Sequence, residues 1–347
     1  MDRLSIETVK RIVAHLPPVS ADSERHVLGF LYLISLRLVS KAFRSVVTPI
    51  AFRNIVVDSS LQSEEDVAAL RDGLVTAFSG LGSFPKLECI SLYFFCIMPA
   101  DDDDVYLRAE FHRFLRSLKS LWITFRCSKR GLGSNQQHIE NSANRGFKGN
   151  LDRFWHSSMS HILSNATSIT ALRLGDCDDL HRRPLALLAW IPETAPLTHL
   201  TSLELTSLAF PTPVTTALNH EIHNTLGFIL LHKATLTELE LRGCYILMHE
   251  SELKGVPLLW HVVFKRFMDE LTVLESFYFS CRAPFGPPAG ATPQYRYLPL
   301  HLDHYKGIQA YEGTLPGQEH DVKALEDLLV VAAATQDRRW AAFWDAL

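Results

Sequence analysis

The sequence predicts an α/β protein: a short all-α N-terminal module, then a solenoid in which helices and strands alternate, closed by a C-terminal helix. Three observations carry this. A spacing of apolar-x-x-apolar-x-apolar occurs six times between Leu87 and Phe279. The stretches between these sites carry apolar stripes of helical period. Finally, the first 57 residues differ from the rest in pattern and in charge.

In the N-terminal module, Ser5 is placed to cap a helix whose first turn holds Glu7. Ile6, Val9, Ile12, Val13 and Leu16 follow at helical spacing, and Pro17-Pro18 ends the run. A polar loop covers Val19 to Arg25. A second apolar stretch then runs through Leu28, Leu31, Leu33, Ile34, Leu36, Leu38 and Val39. So much apolar surface exceeds what two or three short helices bury among themselves, so part of it is expected to meet a partner or the next domain.

Leu36-Arg37-Leu38-Val39-Ser40-Lys41-Ala42-Phe43-Arg44 and Thr48-Pro49-Ile50-Ala51-Phe52-Arg53-Asn54-Ile55-Val56-Val57 resemble the second half of an F-box. The helix from Leu4 to Leu16 is similar to its opening. The chain departs from the family pattern at Ser5, where Pro is usual, and at Phe43, where Trp is usual. The resemblance implies docking on the Skp adaptor of a Skp–cullin–F-box ubiquitin ligase, in the cytoplasm or nucleus. By motif position it assigns adaptor contact or support to Leu4, Ile12, Leu16, Leu36, Val39 and Phe43. Ile12 and Leu16 serve equally well as core of the module itself, whereas Val39 and Phe43 favour contact.

The six repeated sites are Leu87/Ile90/Leu92, Leu118/Leu121/Ile123, Ile169/Leu172/Leu174, Leu200/Leu203/Leu205, Leu236/Leu239/Leu241 and Leu274/Phe277/Phe279. The last two residues of each alternate as a strand with one buried face requires, and the first anchors the turn before it. First members lie 31, 51, 31, 36 and 38 residues apart. Helical stripes fill most intervals: Val67–Phe78, opened by Ser63; Phe111, Phe114, Leu115 and Leu118; Leu151–Ile162; Ile222, Leu226, Ile229 and Leu230; and Trp260, Phe264, Phe267 and Leu271. The 51-residue interval contains a polar insertion at about 127–150, and Ala283–Pro293 reads as a loop rich in Pro, Gly and Ala. A last helix is predicted at Asp321–Ala333, with Val322, Leu325, Leu328, Leu329 and Ala332 on one face, capping the open end of the stack.

Leu172-x-Leu174-x-x-Cys177 and Leu239-x-Leu241-x-x-Cys244 set cysteine where leucine-rich repeats carry Asn or Cys. At that position the side chain turns inward and serves buried backbone groups. The chain thus resembles irregular leucine-rich repeats of the kind that follow F-boxes, notably in fungal proteins, although its intervals exceed the usual length. The rival fold, a doubly wound parallel sheet, carries near-continuous apolar strands and a Gly-rich first turn, which this sequence lacks. The expected organisation is 1–57 as adaptor-binding module, 58–290 as repeats, and 291–347 as loop and capping helix.

Composition narrows the function classes. The chain has 347 residues, 47% hydrophobic and 10% aromatic, with a net charge of −4, and its mean hydropathy of +0.05 is too apolar for a disordered chain. No 18-residue apolar run and no secretory leader is visible, so no membrane partner is expected. Residues 1–57 hold eight Lys/Arg against four Asp/Glu (+4), and residues 58–347 hold 26 against 34 (−8). The basic half is too mild for a nucleic-acid stripe and matches the acidic surface that the resemblance implies for the adaptor. Six cysteines without a Cys-x-x-Cys pair indicate a reducing compartment.

No catalytic constellation emerges. His220-Glu221-Ile222-His223 is one residue short of a zinc-protease helix, and neither a nucleophile elbow nor a phosphate loop occurs. His301/Asp303/His304, His320-Asp321 and Asp101–Asp104 read as solvated side chains or caps rather than metal ligands. No cofactor or metal is expected. The reading is a non-catalytic substrate receptor; a scaffold with a degenerate F-box outside ubiquitin chemistry is the alternative, and an α/β hydrolase rests only on strand–helix alternation.

Overall fold

The computed structural model describes residues 54–58, 89–94, 109–126, 159–177, 197–211, 225–249, 258–280, 297–300 and 315–345. The F-box-like positions Leu4 to Phe43, the insertion at 127–150 and the motifs at 101–104, 220–223 and 301–304 lie outside them. The described part is mixed α/β. In chain order it contains β1 (Asn54–Asp58), β2 (Cys89–Phe94), α1 (Ala109–Ser117), β3 (Ser120–Arg126), α2 (Met159–Asn165), β4 (Ala171–Cys177), β5 (Ser202–Thr206) and β6 (Ala209–Pro211). There follow α3 (Thr225–Leu231), β7 (Glu238–Arg242), β8 (Tyr245–His249), α4 (Trp260–Glu270), β9 (Ser276–Ser280), β10 (Tyr297–Leu300) and α5 (His320–Asp345).

Seven strands form one parallel sheet in the order β1-β2-β3-β4-β5-β7-β9. Among the described strands of this sheet the order follows chain order, without the reversal that creates the crevice of a doubly wound sheet. β1 straddles residue 57 and pairs with β2, so the sheet begins at the very end of the F-box-like run. Register is kept from strand to strand. Leu121, Leu172, Leu203, Leu239 and Phe277 stand opposite one another in succession, and so do Ile123, Leu174, Leu205, Leu241 and Phe279. One row of the repeat is therefore one row of the core.

The turn before each strand is as regular as the strand. Leu118, Ile169, Leu200, Leu236 and Leu274 are all buried there, as expected of anchoring residues. The residue after each anchor builds a ladder. The Lys119 carbonyl accepts the N–H groups of Thr170 and Ala171, and the Thr170 carbonyl those of Thr201 and Ser202. The Thr201 carbonyl takes Thr237 and Glu238, and that of Thr237 takes Glu275 and Ser276. The hydroxyls of Thr170, Thr201 and Thr237 donate to the same carbonyls at 3.1–3.2 Å. Backbone groups that the turns would leave without partners are thus satisfied between neighbouring strands.

After β5 and β7 the chain turns a corner and enters a second parallel sheet, ordered β10-β8-β6. Both corners use the left-handed region, at Ser207 (φ 56°) and Gly243 (φ 59°). Their N–H groups donate to Arg242 O at 2.7 Å and Ser280 O at 2.6 Å. Cys244 follows, fully buried, and its thiol donates to Leu205 O at 3.4 Å. This is the inward-turning role expected for cysteine at that place; Leu208 fills the equivalent position one repeat earlier and is also buried.

Helical stripes meet the sheet as their spacing requires. Phe111, Phe114 and Leu115 of α1, Met159 and Ile162 of α2, and Leu226, Ile229 and Leu230 of α3 are all buried. In α4, Trp260 packs on Phe210, Phe264 and Phe279, at ring-centroid distances of 5.1, 5.5 and 4.8 Å. The C-terminal helix departs from expectation in length and facing. It continues to Asp345, and of the residues assigned to its inner face Leu328 and Ala332 are buried while Val322 and Leu329 are exposed. It packs against α4 and β9, beside the last strand of the large sheet. A narrow stripe reaches the core, Leu328 and Ala332 being buried and Leu325 half-buried, where the helix lies against α4 and β9.

Candidate functional site

Because the leucines of the repeated motif all turn toward the core, the alternate residues share the opposite face of the large sheet. The central row there reads Trp122, Arg173, Glu204, Glu240 and Tyr278, one from each of five neighbouring strands. Arg242 lies two residues beyond Glu240 on the same face. Glu204 forms the middle of an ion-pair network, 3.1 Å from Arg173 and 3.3 Å from Arg242, while Arg242 also pairs with Glu240 at 2.5 Å. Each guanidinium also lies over a ring: Arg173 is 5.7 Å from the centre of Trp122 and Arg242 is 5.2 Å from that of Tyr278. Contacts thus link Trp122, Arg173, Glu204, Arg242 and Tyr278 in series, with Glu240 held at the side by Arg242.

The network is only partly satisfied. Glu204 Oε1 is buried, and although two guanidinium nitrogens approach it, neither is in hydrogen-bond geometry. Burial pushes the Glu204 carboxyl above the usual carboxylate range; Arg173 and Arg242 pull it down, and Glu240 pushes it up. Thr206 Oγ1 and Ser207 Oγ, immediately after it, are also buried without a hydrogen-bond partner among the described residues. All three such atoms fall in a span of four residues at the end of β5. On that side Gly175 faces Thr206 closely, and a Cβ on Gly175 would stand 3.0 Å from Thr206 Cβ.

A second cluster joins α4 to α5. The Asp321 carboxylate, fully buried, accepts the His261 backbone N–H at 2.8 Å and the Tyr297 hydroxyl, with His261 Nδ1 at 3.2 Å. The Tyr297 hydroxyl in turn accepts the Trp260 N–H at 3.0 Å. Leu259 at the start of α4 supplies no side-chain cap, so these groups from α5 and β10 serve in its place. Asp321 is therefore structural and buried, which corrects the expectation of a solvated side chain; His320 beside it is exposed. Burial raises the Asp321 carboxyl, against the lowering effect of its donors.

Among the described residues no group of three His, Cys, Asp or Glu could hold a metal. No described helix is long and apolar enough to cross a membrane. The six residues assigned to adaptor contact, Leu4, Ile12, Leu16, Leu36, Val39 and Phe43, lie outside the described part. The apolar period of the sequence does not by itself mark the polar row of the sheet face. Its signal is nonetheless there: the middle residue of each L-x-L is Trp, Arg, Glu, Glu and Tyr in turn.

Family models, curated proteins and solved structures show no match to this chain.

Proposed function

We propose that the chain is the non-catalytic substrate receptor of a Skp–cullin–F-box ubiquitin ligase. Residues 1–57 dock on the Skp adaptor through Leu4, Ile12, Leu16, Leu36, Val39 and Phe43. Residues 58–290 form an irregular leucine-rich-repeat solenoid that presents a protein target, and α5 within 291–347 caps it. The observation that carries this reading is the join between two patterns. The F-box-like run ends in β1, and β1 is the first strand of a sheet whose strands follow chain order and keep every described apolar row in register. Such stacking supports a repeat architecture, in which partners are bound on a surface assembled from several repeats. Catalysis then lies elsewhere in the ligase, and the receptor contributes proximity by raising the target's effective concentration at the ubiquitin-charged enzyme. The cytoplasm or nucleus, where that machinery acts, is the proposed location.

The test is co-purification of the full chain with the Skp adaptor, beside the double variant Val39→Asp, Phe43→Ala. The wild type is expected to retain adaptor and the variant to lose it; equal retention by both overturns the docking assignment. Ser5 and Phe43, which replace the family's Pro and Trp, favour one second reading, a protein-binding scaffold outside ubiquitin chemistry. Failure of the wild-type chain to hold the adaptor selects that reading.

A further inference from the structure

We infer that the outward face of the large sheet docks a basic segment of its protein partner, with an arginine or lysine set between Glu238 and Glu240 and lying against Tyr278. This rests on the reading of the chain as a protein-binding receptor and specifies the chemistry of what it receives.

Charge is the first argument. On β4, β5, β7 and β9 the outward face carries Glu204, Glu238 and Glu240 against Arg173 and Arg242, an excess of one acid. Both arginines are engaged in ion pairs within the face, and Glu238 has none among the described residues. The excess is of the same sign as the −8 balance of residues 58–347. An acidic segment, a nucleic acid or an anionic membrane would meet this face with repulsion, and an apolar segment would desolvate Glu238 without compensation.

The face itself displays the preferred chemistry. Arg242 satisfies Glu240 and stacks over Tyr278 at once, as Arg173 does with Glu204 and Trp122. Planar cations over rings beside carboxylates are stable arrangements here. Tyr278 is 49% exposed, so much of its surface is open to a visiting side chain. Beside the charged row runs a row of small residues, Ser120, Ala171, Ser202 and Ser276, interrupted only by Glu238. Small side chains leave a shelf on which a peptide backbone can lie close to the sheet.

Selection of a random twelve-residue peptide library on the full-length chain tests the inference, with affinity of an enriched peptide read by fluorescence anisotropy. Enriched peptides are expected to carry arginine or lysine. Glu238→Lys, an exposed change that leaves the ion-pair network in place, is expected to weaken binding about tenfold, as is raising the salt concentration. Glu240→Gln should weaken it as well. Enrichment of acidic or purely apolar peptides, no binder at all, or equal affinity for wild type and Glu238→Lys would overturn it. Adaptor co-purification run on the same Glu238→Lys protein separates the two readings. Its loss in wild type and variant alike removes the ligase assignment, whereas the peptide result alone decides the sheet face.

Discussion

Replacing His232 by Phe should destabilise the protein, and by an amount that depends on pH. His232 is 2% exposed at the end of α3. Its Nε2 accepts the Leu197 N–H at 3.0 Å, from the turn that precedes β5, which leaves the ring proton on Nδ1, donated to Phe228 O at 2.8 Å. Phenylalanine keeps the ring and its edge contact with Phe228 but removes both polar bonds. A buried N–H without an acceptor costs about 1–3 kcal/mol and a lost neutral hydrogen bond about 1, so a loss of about 2–4 kcal/mol is expected at pH 8. Burial lowers the His232 pKa, against the raising effect of Phe228 O. The unfolded chain then binds a proton more readily than the folded one, and stability is lost as pH falls. The advantage of wild type over His232→Phe should be complete above about pH 6.5, the unperturbed histidine value, and shrink steadily below it. A protonated ring would also point a second donor at the Leu197 N–H. Urea unfolding of both proteins between pH 8 and 5.5 measures the gap, and taking the difference cancels the other histidines. A gap independent of pH, or widening in acid, would refute the account of His232 as a neutral acceptor.

Other changes test the fold and its corners. Ser207→Gly should stabilise by about 1 kcal/mol, since it removes a left-handed non-glycine residue and a buried hydroxyl without a partner; a lower melting temperature would show that Ser207 holds a bond of its own. Leu239→Ala should cost about 2–5 kcal/mol in thermal or urea unfolding, whereas the outward Glu238→Ala on the same strand should stay within about 0.5. Comparable losses would contradict the assigned faces. Gly175→Ala should destabilise by about 1–3 kcal/mol through its approach to Thr206 Cβ, and in a double-mutant cycle the extra cost should shrink in the background of Thr206→Gly, which removes that atom. Asp321→Ala leaves the His261 N–H and the Tyr297 hydroxyl without their acceptor and should speed amide exchange selectively at the starts of α4 and α5; uniform exchange across the sheet would place the role of Asp321 elsewhere.

Much of the described fold was legible because the repeat is a local pattern. Leu, x and Leu in alternation state which side of a strand is buried, and the anchor three residues earlier states where the turn begins. Five described repeats obey both rules from Leu118 to Phe279. The buried stripes of α1 to α4 follow from helical period in the same way. Cys244 could be placed from its distance beyond Leu241, since a corner at that point turns its thiol toward the carbonyl of the previous strand.

Relations across repeats belong to the tertiary structure alone. Nothing in the local pattern sets Arg173 between Trp122 and Glu204, because register between strands 31 to 51 residues apart arises only when the anchors stack. The threonine ladder was written in the sequence as the residue after each anchor, yet a lone threonine carries no sign that its neighbour's carbonyl lies above it. Asp321 looked solvated because it stands in a polar stretch; only the docking of α5 on α4 gives its carboxylate donors enough to be buried. The inner stripe of α5 was likewise read too broadly. Helical spacing marks Val322 and Leu329 as apolar, but which apolar residues are covered depends on how wide a neighbour the helix meets. Sequence alone determined the period, the strand faces and the helix stripes, since each is decided by residues a few positions apart. Which polar side chains meet on the outward face was decided by the pairing of the strands, because those contacts join residues that only folding brings together.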